Sequence, residues 1–204
     1  MNQIHSYLRQ VDKLGADRLS INCLDDETIL LCLADGVGGL SGSMKASTMA
    51  IDKCLLKIKK LIQYTPEKLE MILKEIDNEI YKDMEAGETT IIVILIQGNM
   101  IIGASIGDSK SWLFNSEFEY ELTMLQRKNP LLGSNLSEPI GFEVFGITGW
   151  IVLGSDGLFN YVNMEKIKKV VKSKKFMIKN LYHLAKEHTG YLQDDFSVIV
   201  VFID

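Results

Sequence analysis

Apolar residues in this chain fall into short unbroken runs and into stripes at helical spacing. Residues 19–24 and 28–34 read as a strand pair joined by the acidic turn Asp25-Asp26-Glu27. After Gly38-Gly39 the period becomes helical. Met44, Ile51, Cys54, Leu55, Ile58 and Ile62 share one face, with Ser41 or Ser43 as the N-cap. A second helix opens at Thr65-Pro66, an N-cap followed by proline at the first helical position. It runs through Leu69, Ile72, Leu73, Ile76 and Ile80 and stops near Gly87.

A long β region follows. Residues 89–96 are nearly all apolar and β-branched, Gln97-Gly98-Asn99 is a turn, and 100–106 returns as the partner strand. Residues 111–114 and 119–122 predict two shorter strands. The stretch 124–147 carries Gly133, Gly141 and Gly146 without periodicity and reads mostly as loop. Residues 150–154 form a strand, Asn163 caps a helix through Ile167, Val170 and Val171, and Ile178, Leu181, Leu184 and Ala185 mark another. Residues 196–203 close the chain as a strand. Helices segregated from strands in this order predict an α+β fold, not an alternating parallel one. No repeat or linker divides the 204 residues, so one domain over 1–204 is expected.

Three of the apolar runs end abruptly on an aspartate beside a glycine: at Asp35-Gly36, at Gly107-Asp108 and at Asp156-Gly157. A fourth acidic pair, Asp194-Asp195, stands just before the last run. Each aspartate is therefore fixed at a strand end, on the rim of a core. Carboxylates gathered on one rim repel unless a hard cation neutralises them, and oxygen-only ligands favour magnesium or manganese. Metal-dependent hydrolysis is the first functional reading.

Composition narrows the classes. Hydrophobic residues make up 47% and charged ones 24%, the balance of an ordinary globular protein. A net charge of −5 argues against a sequence-independent nucleic-acid binder, and the lysines at 57, 59 and 60 and over 166–179 interleave with apolar residues as solvated helix faces. Cys23, Cys32 and Cys54 lack CxxC spacing and read as buried free thiols of a reducing compartment. Residues 1–10 show no signal-peptide core, and no run reaches the roughly 18–20 apolar residues of a membrane span. A cytoplasmic location, with no membrane or nucleic-acid partner, is the expectation.

Singly, each acidic motif is weak. The loop Asp35-Gly36-Val37-Gly38-Gly39 lacks the lysine of a P-loop and the spacing of a dinucleotide turn. Four elements in one order are more specific. They are Leu33-Ala34-Asp35-Gly36-Val37-Gly38-Gly39, Gly107-Asp108-Ser109-Lys110, Ser155-Asp156-Gly157-Leu158 and Asp194-Asp195-Phe196-Ser197. With them the chain resembles the metal-dependent protein serine/threonine phosphatases of the PPM (PP2C-like) family, from about Gly15 to Ile203. Gly87-Glu88-Thr89-Thr90 is similar to the Gly-x-Thr that opens that family's central strand, with one residue added.

The resemblance implies two packed antiparallel sheets flanked by helix pairs. It implies that Asp35 bridges two Mn²⁺ or Mg²⁺ ions, that the Gly36 carbonyl completes one shell, and that Asp156 and Asp194 bind the other ion. Asp17 falls at the family's first metal-associated aspartate, and Asp108 at a ligand for a third, looser ion. Asp35 and Asp17 are thus the catalytic candidates. The implied reaction is hydrolysis of phosphoserine or phosphothreonine in proteins, substrates of a serine/threonine kinase, by a water activated between two ions. No cysteine has the CxxxxxR loop of a thiol phosphatase.

Four departures stand out. Ala16 precedes Asp17 where the family has a polar residue. Asp12 stands where the family's phosphate-holding arginine lies, leaving Lys13 as nearest cation and Arg18 as the next. Gly42-Ser43 replaces Gly-Glu, and Asn160 replaces an acidic residue that serves the third ion, which is expected to bind weakly. These departures support a second reading, a regulatory or scaffold protein of the same fold with little turnover. His5, His183 and His188 are expected to play no catalytic part, the last two as exposed or cap positions on the final helix.

Overall fold

The computed structural model describes residues 15–37, 42–115, 117–186 and 190–203 in full and the backbone of 3–9. Among the described residues, ten strands form two antiparallel sheets of five. The first sheet orders β1 (Gln3–Arg9), β10 (Phe196–Ile203), β9 (Gly149–Gly154), β6 (Lys110–Phe114) and β7 (Glu119–Glu121). The second orders β2 (Arg18–Cys23), β3 (Thr28–Ala34), β4 (Ile91–Gln97), β5 (Met100–Ile106) and β8 (Ile140–Val144).

Near-continuous apolar strands normally signal parallel sheets, yet every pairing here is antiparallel. The reason is burial on both faces. Leu31 and Leu33 of β3 and Ile92, Ile94 and Ile96 of β4 meet Leu113, Ile151, Leu153, Ile199 and Val201 of the other sheet in a central core. The alternate residues Leu30, Cys32, Ala34, Val93 and Leu95 turn outward against α1 (Ser43–Ile58) and α2 (Pro66–Tyr81). Val152, Phe196, Val198 and Val200 likewise face α3 (Asp156–Phe159), α4 (Met164–Ser173) and α5 (Met177–Ala185). The layers run helix, sheet, sheet, helix, so the α+β expectation holds.

Helix starts follow local chemistry. Thr65 caps α2, its side chain accepting from the Lys68 N–H, with Pro66 at the first helical position. Asn163 caps α4 by accepting from the Glu165 N–H at 2.8 Å. The cap of α1, however, is Gly42 at φ 84°, not Ser43, and Ser41 lies outside the described residues.

Four further features differ from the sequence reading. Residues 3–9 form an edge strand along β10. Residues 140–144, read as loop, are β8, which pairs with β5. Gly141 is there for close approach: a Cβ on it would sit 2.6 Å from the Cβ of Pro66. The one-turn helix α3 is too short for periodicity to show. Cys23 is exposed at the end of an edge strand, whereas Cys32 and Cys54 are buried thiols as expected. His183 is exposed, while His188 and the side chain of His5 lie outside the described residues. Among the described residues no helix is long and apolar enough to cross a membrane.

Candidate metal centre

Asp35 is the first residue past β3, and its backbone is clamped. Its N–H donates to Thr90 Oγ1 at 3.0 Å, and its carbonyl accepts from the Thr90 N–H at 2.8 Å and from Thr89 Oγ1 at 3.0 Å. Gly36 bridges Thr89, and the Val37 N–H donates to the Glu88 carbonyl at 3.1 Å. A Cβ on Gly36 would lie 2.6 Å from the Ser43 carbonyl oxygen and 2.8 Å from the Ala16 Cβ, so only glycine fits. The short Ala16 side chain is thus packed where the loop turns, and 88–90 serves to hold it.

Asp17, 1% exposed, stands just before β2. The Ala16 N–H donates to Asp195 Oδ2 at 2.9 Å, and Ser47 Oγ donates to the Ala16 carbonyl. Arg18 Nη1 donates to the carbonyls of Gly15 at 3.1 Å and Asp17 at 2.6 Å, and Nε donates to Thr48 Oγ1 at 3.2 Å. The guanidinium of Arg18 therefore holds the Asp17 segment in place. Lys13, the other candidate for substrate phosphate, lies outside the described residues, as do Asp12, Gly38 and Gly39.

Asp156 opens α3 where β9 ends, and its Oδ2 accepts from Asn160 Nδ2 at 3.1 Å. Across from it, the Ser155 N–H donates to the Ser197 carbonyl and Ser155 Oγ donates to the Asp195 carbonyl, both at 3.1 Å. Gly157 packs so tightly on this stretch that any Cβ would collide with the Asp195 carbonyl oxygen. Asp194 Oδ1 accepts from the Asp195 N–H at 2.9 Å. Asp108 is exposed after Gly107, whose N–H donates to the Arg127 carbonyl at 2.8 Å. Asp195, Thr89, Thr90 and Ser155 were not among the predicted site residues. The acidic doublet and the Thr-Thr pair were the available signals, but neither discloses its partners locally.

Electrostatics tie the aspartates into one site. Burial, then the charges of Asp17 and Asp156, a hydrogen bond with Asp17 and the charge of Asp194 push the Asp35 carboxyl up to about 10. Asp17 is raised to about 6 by burial, against hydrogen bonds from Ser197, Asp35 and Ser155. Asp156 is raised to about 6 by burial and by the charges of Asp194, Asp108 and Asp17. Asp194 is raised by burial and by Asp195 and Asp108, against the Asp195 N–H. No lysine or arginine is among the leading influences on these four. Asp17, Asp35, Asp156 and Asp194 are thus linked electrostatically, Asp108 acts on Asp156 and Asp194, and the Asp35 carboxyl keeps its proton at neutral pH.

Among the described residues no three His, Cys, Asp or Glu side chains are already grouped to hold one ion. The carboxylates instead spend their oxygens on Asn160, on the Asp195 N–H and on each other. Holding a cation would require exchanging these hydrogen bonds for coordination. The donor set is all oxygen and rich in carboxylates, which suits a hard divalent ion.

No protein-family profile and no curated protein matches this chain. Solved structures do. A serine/threonine phosphatase of S. agalactiae superposes with a TM-score of 0.84 at 20% identity, covering 100% of both chains. The serine/threonine phosphatase Stp1 from Staphylococcus aureus gives 0.83 at 19%, covering 100% of this chain and 94% of its own. The catalytic domain of the serine threonine protein phosphatase PstP, in complex with 2 manganese ions, gives 0.77 at 21%, covering 100% and 99%. The architecture of this chain is therefore the fold of the bacterial PP2C-type serine/threonine phosphatases.

Proposed function

We propose that this chain is a cytoplasmic, manganese- or magnesium-dependent phosphatase acting on phosphoserine and phosphothreonine in proteins. The observation that carries the reading is the carboxylate cluster: the leading influences raising Asp35, Asp17, Asp156 and Asp194 are burial and other carboxylates, with no neutralising side chain among them. A fold shared with PstP, whose catalytic domain was crystallised with 2 manganese ions, supports the same ligand chemistry.

Asp35 and the Gly36 carbonyl would hold one ion, Asp156 and Asp194 a second, with Asp17 beside Asp35 and Asp108 available to a looser third. Divalent ions there would supply Lewis acidity, lowering the pKa of water and offsetting charge on phosphoryl oxygens. The chain's own part is positioning. Thr89 and Thr90 fix the Asp35 backbone, Arg18 and Asp195 fix the segment carrying Asp17, and Ser155 ties the Asp156 turn to the 194–195 strand end. Asp35, protonated at neutral pH, would have to give up its proton to hold an ion, so ion binding should tighten with rising pH.

The test is phosphate release from a phosphothreonine peptide by chelator-treated protein, before and after manganese is restored. Turnover that appears only with manganese supports the proposal; turnover indifferent to chelator sinks it. The commitment of Arg18 to backbone carbonyls favours the second reading, a regulatory or scaffold protein of this fold with little turnover. That reading would show a manganese-induced rise in melting temperature but no phosphate release.

A further inference from the structure

The same strands that present acid at one end present aromatics at the other. Phe114 ends β6, Trp150 lies at the start of β9 and Phe202 lies near the end of β10, so their rings gather opposite the aspartate rim. A six-residue strand separates the two ends by about 20 Å. There the rings of Trp150 and Phe202, with centroids 4.9 Å apart, line a cleft of about 410 Å³ together with Phe114, Lys172 and Lys174.

Three features give this cleft the character of a ligand site. Its size and aromatic walls suit a flat organic body. Lys172 and Lys174, from the C-terminal end of α4, are exposed, and neither is in an ion pair among the described residues; the Lys174 ammonium stands 5.7 Å from the Phe202 ring centroid. The Phe202 ring is the most open of the aromatic walls, Trp150 and Phe114 being 7% and 4% exposed, and it gives a flat body a face to lie on. The end of α4 contributes a partial negative charge, roughly half an elementary charge, and two whole lysine charges outweigh it.

We propose that this cleft binds a small planar organic anion, an aromatic body bearing one carboxylate, at a site separate from the acidic rim. The body lies against the Phe202 ring and the exposed parts of Trp150 and Phe114, and the two ammonium groups take the carboxylate. The acidic rim, which repels anions, plays no part.

The experiment follows the Trp150 indole N–H resonance as the intact protein is titrated with 2-naphthoate, in chelator and in diamagnetic magnesium. Trp112 is the other of the two tryptophans, and a Trp112→Phe variant assigns the signals. Expected is a saturating shift of the Trp150 signal in the low-millimolar range or below, equal with chelator and with magnesium. Removing both charges in Lys172→Gln/Lys174→Gln, with folding checked by the melting temperature, should weaken binding roughly tenfold. The neutral analogue 2-naphthalenemethanol should bind more weakly by a similar factor. No saturating shift, equal affinity for the neutral analogue, unchanged affinity in the double variant, or binding that requires magnesium would each overturn the proposal.

Discussion

Asp35→Asn should do two opposite things: abolish metal-dependent turnover and stabilise the metal-free protein. In the fold the Asp35 carboxyl is raised from 3.8 to about 10 by burial and by neighbouring carboxylates. A carboxyl raised in the folded state favours folding most at low pH, and that advantage is lost as pH climbs from its ordinary value toward its folded one. At pH 8 the chain has climbed through most of that window. At about 1.4 kcal/mol per pH unit, the cost is on the order of 5 kcal/mol. Asparagine keeps the shape and never ionises, and its amide can donate to Asp17. A net gain of roughly 2–4 kcal/mol is expected once imperfect hydrogen bonding is allowed for. For a chain of this length that corresponds to a rise in melting temperature of about 5–12 °C.

The assay is thermal unfolding in chelator across pH 5 to 8. Asp17 and Asp156, each raised to about 6, also destabilise the wild type as pH rises, but they finish titrating near that value. Above it Asp35 still adds to the loss, so the gap between variant and wild type should widen between pH 6 and 8. Manganese should then raise the melting point of the wild type strongly and of the variant little. A variant that melts at or below the wild type in chelator at pH 8 would refute the reasoning, because it would mean the aspartates do not strain one another.

Other substitutions probe the supports. Asp77, buried on α2, accepts from the N–H groups of Gly133 and Asn135 at 2.6 and 2.9 Å and from the N–H and hydroxyl of Ser137 at 2.9 and 2.8 Å. Asp77→Ala strands those donors and should cost about 3–5 kcal/mol by denaturant unfolding, with Asp77→Asn between it and wild type. Gly157→Ala drives a Cβ into the Asp195 carbonyl and should cost about 2–3 kcal/mol while weakening the manganese-induced thermal shift. Arg18→Ala should lower kcat with little change in KM if the guanidinium only positions Asp17; a large rise in KM alone would instead show that it grips the substrate phosphate.

The acidic rim was legible because it rests on the strongest local signal in the chain. Residues 29–34, 101–106 and 151–154 are apolar on both faces, so no periodicity had to be resolved before their ends, and the aspartates standing there, could be read. Elements that depend on a distant partner were hidden. The strand at 3–9 owes its place to backbone pairing with β10, almost two hundred residues away in sequence, and its own composition carries little apolar alternation. In β8, Gly141 looked like a turn residue when it was answering the approach of Pro66 on α2.

Arg18 shows the limit from the other side. Its charge made it a candidate for the substrate, yet its donors face the carbonyls of Gly15 and Asp17, an assignment only geometry could make. Asp77 could have been caught: it falls four residues after Leu73 and three before Ile80, on the stripe that α2 buries. A carboxylate on a buried stripe must meet donors there. The donors it meets, at 133–137, adjoin Leu132, which pairs with Thr89, which in turn pairs with Gly36. One acid on the helix layer therefore steadies, through two short bridges, the turn that carries Asp35.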